Sequence, residues 1–292
     1  MTGFTKEKLS IGSKLKKQSL LRNGLFRSPL KESGIQGVGL ISNLTKMALI
    51  VEYDGSGYYG FQLQANVPTI QGEIERALLK LTGERIRVLA ASRTDSGVHA
   101  LGQVVSFRTK SLLTPQTFAS GLNHYLPRDI AVKAAHRVSD SFNVRRHALS
   151  REYNYYILNS LVRSPIRAGF CHLVTGKLDI LAMNRAAQAL IGEHDFASFA
   201  TSVGVELKNT WRRVYRAKVE EDGELVVFNM VANSFLTHQV RNTIGALLRI
   251  GLGKMTTSEF YSIIEAKKPA LAGATASARG LWLIRVNYKN QF

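Results

Sequence analysis

From Met47 onward the chain runs strand, helix, strand, strand, and then begins the same order again. Few compact folds accept such a repeat, because each strand group must cover its apolar face with the helix that interrupts it. Residues 48–53 read as a strand. Ile70, Ile74, Ala77, Leu78 and Leu81 fall on one helical face opened by Thr69 as a cap. Residues 86–89 and 104–107 read as paired strands, with 93–102 the loop at their ends. Thr114-Pro115 supplies a cap and a first-turn proline for a helix to about His124, and 130–138 is again extended. The second round comprises a tyrosine-rich strand at 151–158, a helix at about 179–191, and strands at 211–219 and 225–231 joined by Asp222-Gly223, a hairpin signal. Helices at about 235–250 and 258–266 and a strand at 281–288 follow. The expectation is an α+β fold of two halves, 47–148 and 149–292. Each resembles a split βαβ, ferredoxin-like unit with helices on one face of a mostly antiparallel sheet.

Residues 1–46 differ. They carry seven lysines and two arginines against Glu7 and Glu32, net +7, with no aromatic beyond Phe4 and Phe26. Three readings are open: a disordered basic arm that adds RNA affinity, an organelle transit peptide, or a stretch upstream of a true start at Met47. The remainder still has 30 basic against 19 acidic residues, +11, within a total of +18. Such a chain attracts polyanions. Nucleic acid is favoured over a membrane surface, because no strongly amphipathic basic helix stands out and no apolar run approaches a membrane span. The single cysteine, Cys171, permits no intramolecular disulfide and no cysteine-based zinc site. The seven histidines lack ligand spacing, so no structural metal is expected, and the single cysteine fits a reducing, cytoplasmic location unless residues 1–46 direct the chain to an organelle.

Three residues attract attention as chemistry. Asp95 is a lone carboxylate in Ser-Arg-Thr-Asp-Ser-Gly-Val-His-Ala, two positions after Arg93 and ahead of an apolar strand. It is either an Asx turn capping its own backbone, with Gly97 supplying a positive φ, or an acid aimed from a strand end into a cleft. Arg241 shares a helical arc with His238 and Gly245, away from the stripe Leu236, Val240, Ile244 and Leu247. Gly245 weakens a helix relative to alanine, and close approach of another backbone is one reason to keep it. Tyr153 shares a strand face with Arg151, Tyr155 and Ile157, where it is either core or a stacking surface for a nucleobase.

The loop Arg93-Thr94-Asp95-Ser96-Gly97-Val98-His99-Ala100 resembles the catalytic loop of the tRNA pseudouridine synthase A family. Its neighbours follow in that family's order: Tyr53 to Gln62, Thr69-Ile70-Gln71, Arg151 to Tyr155, His194 to Phe199, and Phe235 to Asn242. The resemblance spans about residues 47–290. It implies two ferredoxin-like (RRM-like) halves whose sheets join around a central cleft with helices on the outer face, and a homodimer that holds tRNA. It implies Asp95 as catalytic nucleophile, Tyr153 in contact with the target uracil, Arg93 beside the aspartate in the RNA cleft, and Arg241 as partner of the carboxylate. The implied reaction converts uridine to pseudouridine at positions 38, 39 and 40 of the anticodon stem-loop, without cofactor. Phe61 stands where the family usually carries tryptophan, and residues 1–46 have no counterpart. The rivals are a non-catalytic tRNA-binding or chaperone protein, for which a lone acid in a phosphate-attracting cleft has no use, and a metal-dependent nuclease, which needs clustered carboxylates.

Overall fold

A computed structural model describes residues 44–201 and 209–289. The basic segment read at 1–46 therefore lies outside the described residues except for its last three. Thr45 and Lys46 belong to the first strand, β1 (Thr45–Tyr53), which starts ahead of the expected 48. The described residues belong to one compact unit.

The first helix, α1 (Ile70–Thr82), starts where Thr69 accepts from the Gly72 N–H, and it ends at Gly83. A two-residue strand, β2 (Leu89–Ala90), precedes β3 (His99–Thr109). Helix α2 (Pro115–Tyr125) is capped by Thr114, whose side chain accepts from the Thr117 N–H, and leads into β4 (Ile130–Arg137). These elements share one core. Phe118 packs 5.7 Å from Phe107, while Ile70, Ile74, Met47 and Leu49 are fully or almost fully buried.

The remaining strands are β5 (Ala148–Asn159), β6 (His172–Val174), β7 (Gly192–Asp195), β8 (Trp211–Asp222), β9 (Leu225–Ala232) and β10 (Leu281–Tyr288). Three helices accompany them: α3 (Ile180–Gln188), capped by Asp179, α4 (Gln239–Gly251), and α5 (Thr257–Ala266), which opens with a capping box between Thr256 and Glu259. Helix α3 packs on β8 and on α4.

Among the described residues all ten strands form one sheet in the order β4-β1-β3-β10-β5-β9-β8-β7, with β2 on β3 and β6 on β5. Pairing is antiparallel except at β5–β6 and at the junction of the early and late strands, where β10 runs parallel to β3. That junction consists of two register pairs, Trp282 with His99 and Leu283 with Ala100. Leu283 also pairs with Tyr153 of β5. Cross-strand partners share a face, so Ala100, Leu283 and Tyr153 form one row across the join.

Several expectations need correction. Residues 86–88 are not strand: Ile86 and Val88 are buried, but the Val88 N–H donates to the Glu75 side chain at 3.0 Å instead of to a ladder. Residues 99–102, read as the end of the loop, are the first residues of β3. Helix α4 begins at Gln239, not near Phe235, so Leu236 and His238 precede it.

Candidate active site

Asp95 sits in the loop between β2 and β3, and its position is fixed from behind. Phe61 N–H donates to the Thr94 carbonyl at 3.0 Å, Ser96 Oγ donates to the Tyr58 carbonyl at 3.1 Å, and Tyr53 Oη lies 2.8 Å from Thr94 Oγ1. Phe61, the departure from the family pattern, is buried with its ring 6.3 Å from Tyr53. The turn closes through backbone, Val98 N–H to the Asp95 carbonyl at 3.2 Å, with Gly97 at φ +76°. Among the described residues no backbone N–H donates to the carboxylate, so the Asx-turn reading fails and the acid is free to point elsewhere.

It points at Arg241. Arg241 Nη1 donates to Asp95 Oδ2 at 3.0 Å, and His238 Nε2 lies 3.4 Å from the same oxygen. The guanidinium is itself aimed: Arg241 Nε donates to the Ala276 carbonyl at 2.8 Å. The 274–276 segment can cross α4 this closely only because Gly245 lacks a Cβ, which would overlap the Ala274 carbonyl oxygen. The glycine read from the sequence as permitting close approach thus positions the arginine one helical turn away.

A cavity of about 570 Å³ opens over the pair. Asp95 is the acid on its wall; Arg93, Arg145, Arg151, His238 and Arg241 also line it. Arg93 is exposed. Arg145 donates from Nε to the Ala90 carbonyl at 2.9 Å, and burial together with the charge of Arg93 draws it below the usual arginine value. Arg151 is buried and donates to the carbonyls of Ala91, Arg145, Ala148 and Asn233, which makes it a brace between chain segments. Tyr153 lines the same cavity with its ring set edge-on 5.1 Å from Phe235 and its hydroxyl 2.8 Å from Ser92 Oγ. Burial, aided by the Asp95 charge, pushes its phenol up to about 12, so it is neutral at physiological pH. The four residues singled out from the sequence, Arg93, Asp95, Tyr153 and Arg241, therefore line one cavity. Among the described residues no three His, Cys, Asp or Glu side chains come together as a metal site, and no helix is long and apolar enough to cross a membrane.

A family model described as tRNA pseudouridine synthase matches residues 49–145 and 186–289. The chain belongs to the tRNA pseudouridine synthase family. Its relatives within that family include proteins named tRNA pseudouridine synthase A. That of Shewanella amazonensis is 44% identical over 248 residues, covering 85% of this chain and 94% of the relative. That of Pectobacterium atrosepticum is 42% identical, covering 85% and 87%. That of Acetivibrio thermocellus is 40% identical over 245 residues, covering 84% and 100%. Sequence reasoning placed His238 on the arc of Arg241 but did not connect it with Asp95. The missing signal is conformational: His238 is left-handed, at φ +60°, outside the helix.

Proposed function

We propose that this tRNA pseudouridine synthase isomerises uridines 38, 39 and 40 in the anticodon stem-loop of tRNA, with Asp95 as its nucleophile. The observation that supports this reading above the others is the Asp95–Arg241 ion pair at 3.0 Å on the wall of an otherwise basic cavity. A pure RNA binder gains nothing from an acid there. An isomerase needs one ionised carboxylate to open and remake the link between ribose and uracil, and an adjacent guanidinium favours the charged form. Attack at C1′ of the ribose, abstraction of the 2′ proton and addition to C6 of the base are the three routes open to it.

Tyr153 provides the aromatic surface against the uracil, and its neutral phenol introduces no second charge. Arg93, exposed at the cavity, holds the nucleotide by its phosphate once the base has left its stack, or takes the vacated place. No cofactor enters this scheme. The remaining arginines and the body's net charge of +11 suit a polyanionic substrate. The working form is a homodimer in the cytoplasm, which light scattering of the purified chain would check.

The deciding experiment treats a tRNA transcript with wild type and with Asp95→Asn, then maps pseudouridine by chemical adduct and primer extension. Product at 38, 39 or 40 from wild type alone is expected. Product from both would remove Asp95 from the chemistry, and product from neither would favour the non-catalytic binder.

A further inference from the structure

His238 occupies the N-cap of α4, yet its side chain makes no capping bond and its backbone is left-handed, φ +60°. Caps are ordinarily extended Ser, Thr, Asp or Asn, or Gly. A left-handed non-glycine residue is uncommon, and such outliers gather at functional sites. Here the conformation sets the ring's Nε2 3.4 Å from Asp95 Oδ2.

The other ring nitrogen determines what Nε2 carries. Thr275 Oγ1 donates to Asn242 Oδ1 at 2.6 Å, which orients that buried amide. Asn242 Nδ2 then donates to the Phe199 carbonyl at 2.8 Å and toward Thr201 Oγ1 at 3.3 Å. The Thr201 hydroxyl has one proton to give, and His238 Nδ1 lies 3.0 Å away. That hydroxyl can donate to Nδ1, and the carboxylate beside Nε2 can only accept, so the two neighbours together place the neutral ring's proton on Nε2, facing Asp95.

Arg241 also addresses Oδ2, whereas no described residue donates to Oδ1. We propose that His238 is a positioning residue: with Arg241 it pins Oδ2 and leaves Oδ1 as the oxygen that reacts, an inference resting on Asp95 being the nucleophile.

The test compares the full chain carrying His238→Gly, His238→Gln and Thr201→Val on a tRNA transcript. Glycine suits φ +60°, so His238→Gly keeps or raises Tm. Losing this polar contact beside the charged carboxylate is expected to lower kcat by roughly tenfold, with KM within about twofold. His238→Gln, which can place an N–H near the same point, recovers most of the rate. Long-range 1H–15N spectra of the imidazole, read without turnover, show the Nε2–H tautomer in wild type and lose that preference in Thr201→Val. A wild-type rate in His238→Gly, or an Nδ1–H ring in wild type, would overturn the proposal. Activity in Asp95→Asn would instead remove the nucleophile reading while leaving the tautomer measurement standing.

Discussion

At the scale of single residues, what distinguishes the site is an acid that its own loop does not use. The Asp95 turn is closed by a carbonyl, so the carboxylate is committed to Arg241, which is largely shielded from solvent. A guanidinium hydrogen bond that holds the reacting carboxylate charged and in place is worth about 1.5–3 kcal/mol in a partly exposed pair. Arg241→Ala should lower kcat by about one to two orders of magnitude, while Arg87→Ala, on an exposed pair with Glu75, should leave it within about twofold. A steady-state comparison of the two variants checks this. Tyr153→Ala should impair kcat more than tRNA affinity, measured by filter binding alongside turnover. Near-normal turnover would show that the ring is core alone. Asp95, Arg241 and Tyr153 were legible because residue type and motif order are written in the chain. The Asp95–His238 contact was not, because nothing in the letters Thr-His-Gln announces a left-handed backbone.

Secondary structure was legible wherever a local chemical signal marks it. Thr69 and Thr114 cap the helices expected of them, and the Asp222-Gly223 hairpin turns where read, while the helix read from 179 proves to have Asp179 as its cap. The failures lie where tertiary contacts decide. β6 and β7 are three and four residues long, too short to show an alternation, and exist because β5 and β8 offer open edges. The β-branched pair Ile86 and Val88 looks extended, yet the Val88 N–H is claimed by the Glu75 side chain. Gly245 belongs to the same class of local constraint. Gly245→Ala must displace the 274–276 segment, at about 1–3 kcal/mol, which differential scanning calorimetry should register as a Tm lower by several degrees. The β3–β10 join makes a second prediction. His99 is fully buried there, its ring 4.5 Å from that of Trp282 and its Nε2 near the carbonyls of Gly169 and Arg279. Burial holds its pKa below the ordinary 6.5, against the opposing charge of Asp54. The unfolded chain thus binds the proton more tightly. Stability present above about pH 6.5 is lost as pH falls toward the folded value. Urea unfolding at pH 7.5 and pH 5 should show that loss, with a smaller difference in His99→Gln. Part remains, because burial also depresses His172.

For the whole molecule, the α+β class and a basic body were evident from pattern and charge. That the strands merge into one ten-stranded sheet was not to be had from periodicity, because a join of two register pairs leaves no periodic trace. Net charge makes its own prediction. Raising KCl from about 50 to 200 mM should raise KM for tRNA by orders of magnitude while kcat changes little, since counterion release governs encounter and not bond making. A salt-independent KM would separate the charge from substrate binding. The strand order also bears on biosynthesis. β10 inserts between β3, which carries the Asp95 loop, and β5, which carries Tyr153, so these two strands have no direct ladder between them. A nascent chain still lacking residues 281–288 holds every group of the cavity wall except Leu281 but not the wedge that spaces its two sides. Turnover on tRNA is therefore expected only from a chain that has been made through β10, and a truncation before residue 281 that stayed active would show the wedge to be dispensable.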